Sequence, residues 1–338
     1  MDFSVIIPAY NCESSIEKTI KSICGVQIEE MELIIVDDGS TDHTSDKCKL
    51  LVDQYPFIKY YYQENQGVST ARNYGISKAK GDFVLLWDSD DKADTELLKK
   101  CMLTAIKKNV DMLIFGMSFQ KVYKGKILHI ENKQCSKEEL IFQNDLSSVL
   151  DVLFDINYLS SGCNKILKRE LCNKGRFNPS KKTFEDLLYV LELLNHCKSI
   201  CIMPDIAYIY EMEYQLHHAS RAKSINDFED YMQDFQRAVL CLEDTLGAQL
   251  TQLRARIKLV YEWMLCSKIE SSNYHELRKI DVKKMEVSLF GKPYEPTIKT
   301  NRLFFERKLL KIRLTCIYRN IRARLVIWIK FLFRKTVY

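Results

Sequence analysis

Over the first 115 residues, short apolar runs alternate with stretches in which the apolar positions recur every three or four residues. Val5–Ile7 is a short strand-like run, and Leu33–Val36 has no polar break, as expected of a strand covered on both faces. Phe83–Trp87 and Asp111–Phe115 are of the same kind, and a further strand is expected around Ile58–Tyr62. Between them, Ser14-x-x-Glu17 has the form of a capping box and predicts a helix with Ile16, Ile20 and Ile23 on one side. Cys48, Leu51, Val52 and Tyr55 mark a second helix, and Val68–Ala79 and Glu96–Lys108 read as two more. This alternation predicts an α/β class protein with a doubly wound, mainly parallel sheet and a ligand site at the carboxyl ends of the strands.

The middle of the chain is mixed. Ser136-x-x-Glu139 predicts a helix to about Phe154, Phe184–Cys197 reads as helix, and Ile200–Tyr210 as strand. After about Ser224 the pattern is wholly helical, with neither repeats nor low-complexity segments.

A length of 338 residues allows two domains, and 46% hydrophobic with 28% charged residues excludes a mostly disordered or collagen-like chain. The 12 cysteines are scattered without a CxxC pair, which predicts reduced thiols rather than a zinc site or a disulfide framework. MDFSVIIPAY enters a strand pattern directly, so no signal peptide is expected. The longest apolar segment, Leu325–Phe333, contains Lys330 and is too short to cross a bilayer. The net charge of +5 is unevenly spread. From Lys299 onward 12 Lys and Arg face one acid, Glu306, and the rest of the chain is net acidic. A basic tail on an acidic body points to an anionic partner, either nucleic acid or membrane.

Three acidic clusters carry the candidate chemistry. Val36-Asp37-Asp38-Gly39-Ser40 follows a strand directly; it is either turn chemistry or a carboxylate presented to a ligand. Trp87-Asp88-Ser89-Asp90-Asp91 puts three acids within four residues, which is costly unless they are well solvated or share a cation. Oxygen ligands suit Mg²⁺ or Mn²⁺, whose shell substrate phosphates can complete. An EF-hand fails, because Lys92 and Ala93 occupy its fifth and sixth positions. A haloacid-dehalogenase-like motif fails at Lys92 as well. Glu185-Asp186 opens a helix, where acids are favoured by the helix dipole and where a general base could be held rigidly.

In this order the motifs resemble the family 2 glycosyltransferases, inverting nucleotide-sugar enzymes of GT-A fold. The matching segments are Ser4-Val5-Ile6-Ile7-Pro8-Ala9-Tyr10-Asn11, Glu32–Asp42, Asn65–Ile76, Gly81-Asp82 and Asp88-Ser89-Asp90-Asp91, extended by Asn164-Lys165 and Glu185-Asp186. The resemblance implies that Pro8, Ala9 and Tyr10 hold uracil and ribose, and that Asp38 accepts from the uracil N–H. It implies that Gly67, Arg72 and Asn73 line or shape the nucleotide loop, and that Asp88, with Ser89, meets the ribose or donor sugar. It makes Asp90 the ligand of a Mn²⁺ or Mg²⁺ ion bridging the phosphates, and Asp186 the base that deprotonates an acceptor hydroxyl. The corresponding organisation is a donor half over 1–115, an acceptor half over 116–223 and a helical region over 224–338. The family's Tyr-Arg pair over the donor phosphates is missing: Tyr210-Glu211-Met212 stands there, and Arg221 or His217 could replace the cation unless that stretch is a solvated loop.

Leu303, Leu310, Leu314, Ile317, Ile321, Leu325, Trp328 and Leu332 form a helical stripe with Arg and Lys between them. Such a helix either lies in a membrane interface or packs on its own domain. Nucleic acid is not expected, since no binding motif accompanies the charge. The expectation is a UDP-sugar-dependent transferase acting on a lipid-linked saccharide, peripheral on the cytoplasmic face of an anionic membrane. A polyprenyl-phosphate glycosyltransferase and a catalytically idle scaffold are the alternatives. The oligomeric state is not legible.

Overall fold

The computed structural model describes residues 1–123, 125–142, 161–180 and 185–213, with positions 237, 240, 241 and 244. These fall in one compact unit, Met1–His217 with Arg237–Leu253. The expected helix beyond residue 142, the helical region 224–338 with its basic stripe, and His217 and Arg221 lie outside the described residues.

The first half follows the apolar pattern closely. Strands β1 (Phe3–Ala9), β2 (Met31–Asp38), β3 (Ile58–Gln63) and β4 (Phe83–Leu86) pair in parallel in the order β3-β2-β1-β4. Every residue of β1, β2 and β4 is buried, as uninterrupted apolar runs between two helical layers require. Helices α1 (Ile16–Cys24), α2 (Thr44–Gln54) and α3 (Val68–Lys78) connect them. α3 lies unusually close to β1: a Cβ on Gly75 would stand 2.3 Å from Ile6 Cγ2. Only glycine permits that approach, and it carries Arg72, one turn earlier, over the strand ends.

Beyond β4 the sheet becomes mixed. After the two-residue β5 (Lys92–Ala93) come α4 (Thr95–Lys108), β6 (Met112–Tyr123), β7 (Lys126–Lys133), β8 (Glu139–Phe142), β9 (Lys165–Lys168), α5 (Arg169–Cys172), α6 (Glu185–Leu194) and β10 (Ser199–Glu213). β9 inserts antiparallel between β4 and β6, and β10 runs parallel to β6. The α/β class stands; the first four strands are all parallel, and beyond them the β6–β10 pair is parallel while the remaining pairings are antiparallel.

Three local expectations need correction. α1 starts after Ser15 rather than Ser14 and has no side-chain cap. The loop before it is held by the loop after β2 instead, with Cys12 N donating to Thr44 Oγ1 (2.8 Å) and Glu13 N to Asp42 Oδ2 (3.1 Å). Glu139 opens a strand, not a helix, because Glu139–Phe142 finds an antiparallel partner in Ser199–Ile202. The strand expected at 111–115 continues to Tyr123, so the boundary drawn at 115 falls inside β6. The described cysteines are all free thiols. No described helix is long and apolar enough to cross a membrane.

Candidate active site

The carboxyl ends of β1 and β2 feed two loops that are stitched together. Asn11 adopts φ 48° and its Oδ1 accepts from Thr41 N (2.8 Å), while Asn11 N donates to Ser40 Oγ (3.0 Å). Pro8 and Ala9 end inside buried β1, whereas Tyr10 is half exposed at the rim. Asp37 is fully buried, accepting from Ser40 N (2.8 Å) and Tyr60 Oη (2.6 Å), and Asp38 beside it is 3% exposed.

Asp38 is committed to its own protein. It accepts from Gln63 Nε2 (2.7 Å), Gln66 N (2.9 Å) and Gly67 N (2.8 Å). Three donors on one carboxylate leave a single lone-pair direction for a ligand. The same bonds fix the 63–67 loop, at whose end Gly67 (φ 90°) turns into α3. Gln63 and Gln66 were not singled out from the sequence. Their signal is position, since Gln63 ends β3 as Asp38 ends β2, and Gln66 lies in the loop that follows.

The three acids after β4 go three different ways. Asp88 Oδ1 accepts from Arg72 Nη2 (2.9 Å). Asp90 is exposed; the crevice walls that desolvate it and the neighbouring Asp88 raise its pKa, and its own backbone supplies the hydrogen bond that its carboxylate feels. Asp91 is fully buried, accepting from Tyr208 Oη (2.5 Å) and Glu211 N (3.1 Å). Burial pushes the Asp91 carboxyl up to about 8 against the pull of those bonds, with Asp88 and Asp90 adding to the rise. The three acids thus turn to different partners, while the repulsion among them still raises Asp90 and Asp91. Asp91 is a fastener between this loop and β10. Asp91→Ala, which strands two buried donors, is expected to cost at least about 1–3 kcal/mol in urea unfolding. Ser89 anchors the loop on the other side, its carbonyl accepting from Thr19 Oγ1 (3.0 Å).

Arg72 is the hub. Its guanidinium, 5% exposed, bonds Asp186 Oδ1 (2.6 Å), Asp88 Oδ1 (2.9 Å) and Glu185 Oε1 (3.3 Å), with the Phe177 ring 5.3 Å from Cζ. Burial disfavours its charge, but the carboxylates outweigh that and hold its pKa well above the ordinary value. Glu185 is raised, by burial first and by Asp186 second. Asp186 Oδ2 accepts from Gly162 N (3.0 Å). Arg72 therefore joins the acid after β4 to both acids of α6, although they are about a hundred residues apart in sequence. Asn73 faces elsewhere, exchanging two hydrogen bonds with the Phe177 backbone (2.8 and 3.0 Å).

Among the described residues no three His, Cys, Asp or Glu side chains converge as a ready-made metal site. Asp90 still fits a divalent cation: it is exposed, it is an oxygen donor, and a cation beside it would offset the Asp88 repulsion, with substrate oxygens completing the shell.

This arrangement can be compared with known proteins. The profile of glycosyl transferase family 2 matches residues 4–175, just over half of the chain. The chain belongs to glycosyl transferase family 2. Within that family it is 26% identical over 211 residues to the cholesterol galactosyltransferase of Borreliella burgdorferi, covering 61% of this chain and 58% of that one. It is 29% identical over 217 residues to the minor teichoic acid biosynthesis protein GgaB of Bacillus subtilis, covering 62% of this chain and 23% of GgaB. The chain thus spans only part of these relatives' length. The structure of S. aureus TarS residues 1–349 with UDP-GlcNAc superposes with a TM-score of 0.59 at 23% identity, over 85% of this chain and 86% of that one. That likeness is one of fold, and the family 2 member described here shares the GT-A-like sheet.

Proposed function

We propose that the chain is a metal-dependent inverting hexosyltransferase. It moves a hexose or N-acetylhexosamine from a UDP-sugar to a hydroxyl of a lipid-linked saccharide in polysaccharide biosynthesis. The observation that carries the reading is the Arg72 cluster, which brings the acid after β4 and the acids of α6 to one crevice edge beside the Asp38 loop. Family membership, the UDP-GlcNAc complex of TarS and the activity in the galactosyltransferase's name support a UDP-hexose donor. The name of GgaB supports a role in making a polymer.

In this reading Tyr10 packs on the uracil, and the last lone-pair direction of Asp38 accepts its N–H. The free oxygen of Asp88 orients the donor sugar. Asp90 holds Mn²⁺ or Mg²⁺, which when bound neutralises the charge on the departing diphosphate. Asp186 takes the proton of the acceptor hydroxyl as that oxygen attacks the anomeric carbon opposite UDP, so an α-linked donor gives a β-glycoside. Arg72 and Gly162 fix the Asp186 carboxylate while leaving one lone pair on each oxygen for that proton. The basic stripe of 299–338 is the proposed contact with an anionic membrane on its cytoplasmic face, close to a lipid-linked acceptor.

A second reading, a catalytically idle scaffold, is favoured by the fact that both Asp186 oxygens are already bonded within the protein. Calorimetric titration of UDP with Mn²⁺ and then with EDTA separates the two. Metal-dependent binding that is lost in Asp90→Asn, together with UDP-sugar turnover by the unaltered chain, is the expected result. Binding indifferent to both metal and substitution, without turnover, would leave the scaffold.

A further inference from the structure

One face of α3 borders a cavity that the proposed transfer does not use. Tyr74 and Ser77 of α3, Tyr62 near the end of β3 and Arg176 after α5 enclose a space of about 610 Å³. None of Asp38, Arg72, Asp88, Asp90 and Asp186 lines it. The volume falls in the range of about 300–1,000 Å³ usual for ligand sites. Its lining is not that of a site for an apolar molecule. Tyr62 is 60% exposed, and Tyr74 is braced by an edge-on contact with Tyr61 (centroids 5.7 Å) and by Lys78 Nζ, 5.0 Å from its ring. Such rings offer a rigid apolar surface to the C–H face of a sugar. The amides of Gln66 and Asn173 offer both donors and acceptors for its hydroxyls.

Arg176 is the only charged residue in the lining. Its backbone N–H donates to Glu192 Oε2 (3.2 Å), but no described residue pairs with its guanidinium. That planar fork matches the oxygens of a carboxylate or a phosphate. We propose that the cavity binds a glycan segment carrying an anionic unit, with its sugar rings on Tyr62 and Tyr74 and its negative group on Arg176. Placing that glycan in the acceptor chain rests on the function proposed above; the chemistry of the lining does not. Gln66 belongs to both places, because its backbone N–H holds Asp38 (2.9 Å) while the residue lines the cavity. A second hold on the acceptor raises its effective concentration at the crevice without altering the chemical step.

The test is saturation-transfer NMR on the full chain with three soluble probes, each with and without saturating UDP and Mg²⁺. A hyaluronan tetrasaccharide supplies carboxylates, a phosphorylated pentamannose supplies phosphate, and chitotetraose has no charge. At least one charged probe is expected to receive saturation at its ring protons, to keep it in the presence of UDP, and to bind more tightly than chitotetraose. Which of the two responds tells carboxylate from phosphate. Arg176→Gln should weaken that probe about tenfold, as the loss of a charged hydrogen bond does, and Tyr62→Ala should weaken it as well. Both residues are exposed, so both variants should fold and bind UDP as the unaltered chain does. No transfer to either charged probe, transfer abolished by UDP, chitotetraose bound as tightly, or an affinity indifferent to both substitutions overturns the inference. Failure of UDP itself to bind counts against the proposed function alone, since the glycan arms are also read without it.

Discussion

Asp186→Asn should reduce sugar transfer by roughly 10²–10⁴-fold, the usual contribution of a positioned general base, while UDP binding in Mn²⁺ stays intact. The side chain keeps its size and loses only the ability to take a proton. One complication is specific to this site. Asp186 accepts on both oxygens, from Arg72 and from Gly162 N, whereas an Asn offers one oxygen and one NH₂. If the oxygen stays with Arg72, an amide donor faces the Gly162 N–H, and some local stability is lost. Initial rates must therefore be read beside an unfolding curve and a UDP titration. A rate within a few-fold of the unaltered chain, with binding and stability unchanged, would falsify the assignment of Asp186 as base.

The second large effect is on stability. Arg72→Met is expected to destabilise the fold by about 3–5 kcal/mol, because it leaves Asp88, Glu185 and Asp186 facing one another without a counter-charge in a buried layer. The pH dependence follows from linkage. Glu185 is raised by burial and by Asp186, and Arg72 is the charge that opposes the rise; in the variant that opposition is gone, so the Glu185 pKa climbs further above the unfolded value and the folded state holds more protons between the two. Its stability then increases as pH falls through the folded value. Urea unfolding at pH 5 and pH 8 should show the variant's deficit shrinking at the lower pH. A deficit that is equal at both would mean the three acids do not depend on Arg72. Arg72→Lys should recover only part of the loss, since an ammonium cannot reach three carboxylates with the guanidinium's planar fork.

Much of the fold was legible because its first half is built from buried parallel strands, whose uninterrupted apolar runs differ from the three- and four-residue spacing of the helices. β1 to β4 and α1 to α4 lie within a few residues of their expected places. The failures are instructive in kind. Glu139–Phe142 carries a plausible helix start, and what makes it a strand is the edge of β10, some sixty residues later. Lys165–Lys168 is likewise a strand because β4 and β6 leave a gap for it. Neither fact is written locally.

At the site, the residue types were readable and their duties were not. The sequence by itself determined that acids stand at the end of β2, after β4 and at the start of α6, since strand ends and helix starts follow from hydrophobic period and charge. It also determined that Gly67 precedes a helix carrying Arg72. Only the tertiary structure decided which acid is paired, which is buried and which is left to solvent. Asp91 becomes a fastener because Tyr208 and Glu211 N arrive from β10, and Asp90 stays at the surface. Arg72 turns inward because Gly75 lets α3 press against β1, which aims the guanidinium at carboxylates from distant segments. Burial and ion pairing depend on which groups meet across the sheet, and that is set by the packing of the whole chain rather than by any one stretch of it.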